Sequence, residues 1–162
     1  MNLANDYKSL YEAPKSTVTL GFINIHQQSG LDIAKQTMIE DLMIEYNIDI
    51  ANLSEIHVDD DTFSDCNYIN SSFSIVVNNA ENRYGTASIV KNNLPLSNIK
   101  FDNDGRAIVF DICDSLTIWN TYLSSGNNQL ANQSREEYCG LILPQLLLHR
   151  REAGVGGGIL IA

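Results

Sequence analysis

"STVTLGFINIHQQSGLDIAKQTMIEDLMIEYNIDIANLSEI", residues 16–56, changes its hydrophobic period twice, and that change decides the fold. The first ten residues alternate, with Val18, Leu20, Phe22 and Asn24 on one side and Thr19, Gly21, Ile23 and Ile25 on the other, which predicts a strand ending near Asn24. "HQQSG" reads as a loop. In "LDIAKQTMIEDLMIEYN", Met38, Ile39, Leu42, Met43 and Tyr46 recur at helical spacing and predict a helix with those residues on one face. "IDIANL" then predicts a second strand. Strand, loop, helix and strand in this order make a crossover unit, and if the strands are parallel their ends point the same way. Asn24 and Glu55 then approach each other.

Working outward, the middle of the chain differs in kind. "FSIVVNN", "YGTASIVKNN", "GRAIVFDI" and "SLTIWNTYL" are short apolar runs separated by Asn, Asp, Gly and Pro, which are strand and turn signals. Their close spacing predicts antiparallel hairpins and a meander. In the last run Leu116, Ile118, Asn120 and Tyr122 share a face. A polar loop, "SSGNNQLANQ", leads to "SREEYCGLILPQLLLH", where Ser134 and Glu137 stand in capping-box spacing and predict a helix start, with a kink at Pro144. "REAGVGGG" turns the chain into "ILIA", which begins a strand and stops on apolar residues, so the chain is expected to be cut inside an element.

Ahead of all this, residues 1–16 form a polar leader with no apolar signal segment. The 162 residues, 44% of them hydrophobic, suffice for one domain with a real core. Twenty acidic residues against ten basic give a net charge of −10. Such a field repels polyanions and excludes a broad basic nucleic-acid clamp, so any phosphate contact needs a local device such as a divalent metal. No apolar run approaches the roughly 20 residues that span a membrane. Cys66, Cys113 and Cys139 share no metal-ligand spacing and read as small buried thiols in a reducing compartment.

Three polar residues therefore end predicted core strands: Asn24, Glu55 and Tyr122. Glu55 raises the sharpest question. A carboxylate that closes an apolar strand is either solvated where the strand meets water or holds a cation. Each of the three, taken singly, has a bland alternative as a solvated strand end or a core tyrosine with a paired hydroxyl.

Their order supplies more. "LGFINIHQQSG", "DIANLSEIH", "YGTASIVKN", "GRAIVFDI", "LTIWNTYLSSG", "SREEYC" and "GGGILIA" follow the sequence and approximate spacing of the endonuclease/exonuclease/phosphatase superfamily. The chain resembles the N-terminal half of that domain over residues 17–162, and is most similar to the endonuclease domain of non-LTR retrotransposons. The resemblance implies an α/β fold: an incomplete four-layered α/β/β/α sandwich with mixed, largely antiparallel sheets. It also implies a magnesium- or manganese-dependent, phosphodiester-cleaving site at one end, DNA as the partner of the full-length protein, and an intracellular location, nuclear or cytoplasmic. Carried over by position, Asn24 helps to place the catalytic carboxylates and phosphate, Glu55 binds the divalent ion, and the Tyr122 hydroxyl contacts the scissile phosphate.

The chain departs from the family pattern in places. His26 stands where repair nucleases carry an aspartate, Gln27 where a glycine is usual, and Ser124 where a proline often follows. The motif that should come after "ILIA", Gly-Asp-x-Asn, has no counterpart in the 162 residues, so the family's general base is missing and the chain alone is expected to be inactive. Two other readings stand beside the nuclease: a decayed or repurposed interaction fragment, and a lipid or inositol-phosphate phosphodiesterase of the same superfamily. Elsewhere, His57 with Asp59, Asp60 and Asp61 reads as a solvated loop, because adjacent carboxylates repel one another. His149, Arg150 and Arg151 read as cations closing a helix. Arg106 matches a strand-start arginine of the family or makes a surface ion pair. "GVGGG" lacks the lysine and helix of a phosphate loop.

Overall fold

The computed structural model describes residues 17–25, 32–56, 72–79, 85–123, 126–142, 144–145 and 158–161. Strand β1 (Leu20–Asn24), helix α1 (Ile33–Glu45) and strand β2 (Ile50–Ile56) form the expected crossover unit, with β1 and β2 parallel and Asn24 opposite Ser54. β3 (Phe73–Asn79) and β4 (Gly85–Lys91) add antiparallel, giving a first sheet in the order β1-β2-β4-β3. β5 (Leu96–Phe101), β6 (Ala107–Ile112) and β7 (Leu116–Thr121) are an antiparallel meander, and β8 (Gly158–Ile161) runs parallel to β7 in a second sheet, β5-β6-β7-β8. The sheets are mixed and largely antiparallel, as expected, and they lie face to face with α1 on the outer face of the first.

Alternation along the strands builds two cores. Ala51, Leu53, Ala87 and Ile89 point out of the first sheet and pack with Ile39 and Met43 of α1. Ile50 and Val90, one residue out of phase, point inward and pack with Ile108, Phe110, Ile112 and Ile118 between the sheets. On the outer face of the second sheet Val109 and Trp119 oppose each other and are buried.

α1 is capped by Asp32, whose side chain accepts from the Lys35 backbone N–H. Its buried face differs from the expectation: Ile39 and Met43 are buried, but Met38 is 56% and Tyr46 64% exposed, and Gln36 takes the inward position instead. Helical spacing places Gln36, Ile39 and Met43 on one narrow stripe, while Met38 and Tyr46 both lie on one flank of it. At the far end of β2, Asp49 is buried against Lys91 Nζ at 3.0 Å and accepts from the Thr19 backbone N–H, which locks β1, β2 and β4 together.

Three further expectations are corrected. β5 has no counterpart among the predicted strands. It is an edge strand interrupted at Asn98 (φ 52°), with Ile99 and Phe101 exposed, so it lacks a clean apolar period. The helix containing Ser134 begins earlier, as α2 (Gln129–Glu137). Asn128 is its N-cap, accepting from Ala131 N–H, so Ser134 is mid-helix and no capping box forms there. Beyond α2 the chain widens into a π turn, Tyr138–Ile142, two residues before Pro144, whose missing N–H and bulky ring disfavour a regular turn. Cys113 and Cys139 are exposed rather than buried. Cys113 sits with Asp114 at the β6–β7 hairpin tip, both at positive φ (50° and 53°), and Cys139 lies in the π turn. Cys66, His26, Gln27, His57, Asp59, Asp60, Asp61, Ser124, His149, Arg150 and Arg151 lie outside the described residues.

Candidate active site

The question raised by Glu55 resolves in the backbone. In a regular strand Glu55 would follow Ala51 and Leu53 onto the face that packs against α1, where an unpaired carboxylate is prohibitively costly. Instead the β2–β4 ladder slips: Ser54 pairs with Thr86 and Ile56 with Gly85, leaving Glu55 as the extra residue of a bulge. Ile56 takes the place in the α1-side core that Glu55 would have held. Glu55 adopts φ 55°, a left-handed conformation that L side chains seldom take, and is half-buried where Ile56 beside it is fully buried. The bulge thus re-aims an acidic side chain at the strand end.

Asn24 is the last residue of β1 and is exposed. Its Cα partner is Ser54, next to Glu55, and the following residue continues the ladder through Ile25 N–H to Ser54 O at 3.0 Å. Two parallel strands therefore deliver Asn24 and Glu55 to the same end of the first sheet. Asn24 also shares the inward face with Ile50 and Asn52 by alternation.

Tyr122 follows β7 directly. Its backbone N–H donates to Arg106 O at 2.8 Å, which keeps the pairing with β6 going one step past the strand. The turn before β6 is fastened to the first sheet at the level of Glu55. Thr86, which pairs with Ser54, donates its hydroxyl to Gly105 O at 3.1 Å. Asn78, which pairs with Thr86, donates to Ala107 O, Asp102 O and Asp102 Oδ1 at 2.9, 3.1 and 2.7 Å. Asn24, Glu55 and Tyr122 thus share one end of the sandwich.

That end is braced by further residues. Asp102 Oδ1 also accepts from the Arg106 and Ala107 backbone N–H groups, so one carboxylate oxygen shapes the whole β5–β6 turn. Arg106 Nη1 donates to Ser134 Oγ at 2.9 Å, a contact to α2. The Tyr138 phenol is buried nearby, and burial first and the Asp102 carboxylate second push it well above its ordinary pKa. Gly85, opposite Ile56, gives the bulge the room it needs. The readable signal for Gly85 was a glycine opening an apolar run, which sequence reasoning takes as a turn.

Among the described residues, no three His, Cys, Asp or Glu side chains gather as a metal cluster. Among the described residues, the candidate donors on the first sheet's end are the Glu55 carboxylate and the amide oxygen of Asn24 on the adjacent strand. Such a set fits magnesium, a hard cation that commonly takes one or two protein carboxylates and fills its octahedron with water and substrate oxygens.

No family model and no curated protein sequence matches the chain. Solved structures do. The 3′ phosphatase NExo from Neisseria, bound to product DNA hairpin, is 16% identical, with TM-score 0.66 over 90% of this chain and 56% of its own. The catalytic domain of APE2 from Xenopus laevis is 14% identical, with TM-score 0.60 over 86% of this chain and 56% of its own. An AP endonuclease from Archaeoglobus fulgidus is 16% identical, with TM-score 0.59 over 75% of this chain and 48% of its own. The chain spans about half the length of these structures. At such identities the likeness establishes the fold alone, the one these three structures share.

Proposed function

We propose that the chain is part of a metal-dependent endonuclease that cleaves phosphodiester bonds in DNA, acting in the nucleus or cytoplasm to nick DNA for a mobile element. The observation that carries this reading is the convergence of Asn24, Glu55 and Tyr122 at one end of the two sheets. The nuclease and phosphatase names of the structural neighbours support it, as does the DNA hairpin held by one of them. The retrotransposon origin rests on the sequence motifs, and no described helix is long and apolar enough to cross a membrane.

Glu55 and Asn24 would hold the cation; when bound, magnesium supplies Lewis-acid polarisation of the phosphoryl oxygen and stabilises the leaving oxygen. The remaining work falls to side chains of the chain itself. Tyr122, on the opposite sheet, would place its hydroxyl on a non-bridging phosphate oxygen and orient the scissile bond. Glu55 adds its own negative charge to a net −10 that repels backbone phosphates, so it would favour DNA only through the cation it holds. The family's general base has no counterpart here, and cleavage by the 162 residues alone is expected to be absent.

The deciding experiment is nicking of a supercoiled plasmid by the full-length protein across a magnesium titration, with Mn²⁺ binding to the 162-residue chain followed by electron paramagnetic resonance. Magnesium-dependent nicking, and Mn²⁺ binding that Glu55→Gln abolishes, support the reading. Nicking that persists in excess EDTA, or Mn²⁺ binding indifferent to Glu55, overturns it.

A further inference from the structure

Asn120 interrupts an otherwise apolar inward face. Its strand neighbours Ile118 and Ile108 are fully buried, and Asn120 itself is 4% exposed. An amide buried there is costly unless its hydrogen bonds are made, and they are made across the gap between the sheets. Asn120 Nδ2 donates to Ala87 O at 2.7 Å, lies 3.2 Å from Ser88 Oγ, and reaches Leu53 O at 3.4 Å. Ser88 Oγ in turn donates to Asn52 Oδ1 at 2.8 Å. Leu53 and Ala87 are directly paired in the β2–β4 ladder, so one side chain of the second sheet grips both strands of the first.

The position along the strands gives this grip a consequence. Tyr122 stands two residues after Asn120, and Glu55 two residues after Leu53. Both chains leave the shared hydrogen bonds toward the same end and travel about 7 Å, at roughly 3.3 Å per residue. Apolar packing between sheets is non-directional and tolerates sliding, whereas bonds from one amide to main-chain carbonyls fix the offset.

We propose that Asn120 is a positioning residue that sets the separation of Tyr122 from Glu55, and with it the width of the cleft that would receive a phosphodiester. The catalytic importance of that separation rests on the functional reading above; the separation itself does not.

The test compares Asn120→Leu, which keeps the branched heavy-atom shape and removes the donor, with Ser88→Ala, which removes a hydroxyl of the same buried layer but keeps both carbonyl contacts. Nitroxide labels at Glu55→Cys and Tyr122→Cys, with Cys66, Cys113 and Cys139 changed to serine, report the separation by dipolar broadening in the 162-residue chain without any need for activity. Asn120→Leu should shift or widen the distance distribution, and Ser88→Ala should leave it as it was. If Asn120→Leu does not fold, Asn120→Ser, with a shorter donor, should show the same change. An unchanged distribution in the folded donor-deficient variant overturns the proposal whether or not the protein cleaves DNA. In a full-length protein that nicks plasmid, Asn120→Leu should lower kcat about 30-fold with KM within about twofold, as expected when a reacting group is misplaced by less than 1 Å. An equal kcat loss in Ser88→Ala would mark a shared stability effect and overturn the positioning role. A full-length protein that nicks nothing would remove the functional reading, and the label distances would still decide the role of Asn120.

Discussion

Gly85 lies so close to Ile56 that a β-carbon built on it would stand 2.5 Å from the Ile56 carbonyl oxygen and 2.5 Å from Ile56 Cγ1. Ile56 is fully buried and β-branched, so its Cγ1 has little room to rotate away. The carbonyl oxygen belongs to the bulge that carries Glu55 and cannot move without it. Gly85→Ala should therefore part β2 from β4 and cost about 2 kcal/mol, within the usual range for overpacking. Gly140→Ala is the matched control, because nothing lies within 4 Å of its added methyl. Urea unfolding should show a lowered midpoint for the first and a change within about 0.5 kcal/mol for the second. Equal midpoints would show that the bulge does not depend on the missing side chain.

The backbone of Glu55 can be probed separately. At φ 55° an L residue carries strain of about 1 to 2 kcal/mol that glycine does not. Glu55→Gly should therefore be more stable than Glu55→Ala by about 1 kcal/mol, reversing the order expected in a regular strand, where glycine is the weaker residue. Denaturation midpoints of the two variants decide it. If the alanine variant is the more stable, the strand is extended at this position and the phase slip does not occur.

The crossover unit was legible because period-two and period-3.6 patterns follow each other without interruption between Val18 and Leu53, and a parallel pair then brings Asn24 beside Ser54. The bulge was not. "ANLSEI" reads as an ordinary strand, and only the pairing of Ile56 with Gly85, about thirty residues away, shows that the phase slips at Glu55. Met38 and Tyr46 were misplaced for a related reason: a helix with apolar residues on more than one side offers several stripes, and the sheet beneath decides which is buried. β5 was hidden by being an edge, where burial exerts little selection for an apolar period. Asn120 was seen on the correct face, but its role depends on Leu53 and Ala87, which local sequence cannot place across from it.

Tyr138 gives the fold a distinct alkaline signature. Burial, reinforced by Asp102, raises its pKa above the ordinary 10.0, so between the unfolded and folded values the folded protein holds a proton that the unfolded chain has lost. The contribution is fully present below pH 10 and declines as pH rises. By pH 11 the stability difference between the wild-type chain and Tyr138→Phe should have fallen by about 1.4 kcal/mol relative to pH 8. Paired urea titrations at the two pH values measure it. A difference independent of pH would mean that Tyr138 ionises as freely in the folded state as in the unfolded one.

Glu55→Gln separates the carboxylate's chemistry from its place in the fold. The amide keeps the size of the side chain and its capacity to accept hydrogen bonds, and the bulge is held by backbone pairing and by Ile56 packing, so the unfolding midpoint should be close to wild type. What is lost is the negative charge. If that charge holds magnesium, plasmid nicking by the full-length protein should fall at least about a hundredfold, or roughly 2.7 kcal/mol of transition-state stabilisation. A carboxylate that is merely solvated at a strand end predicts the opposite pattern: near-normal nicking at every magnesium concentration. Raising magnesium distinguishes weakened metal binding, which excess cation restores in part, from loss of a proton-transfer role, which it does not. Superimposable magnesium titrations of the two proteins would remove Glu55 from the site and leave the likeness to the nucleases as one of fold alone.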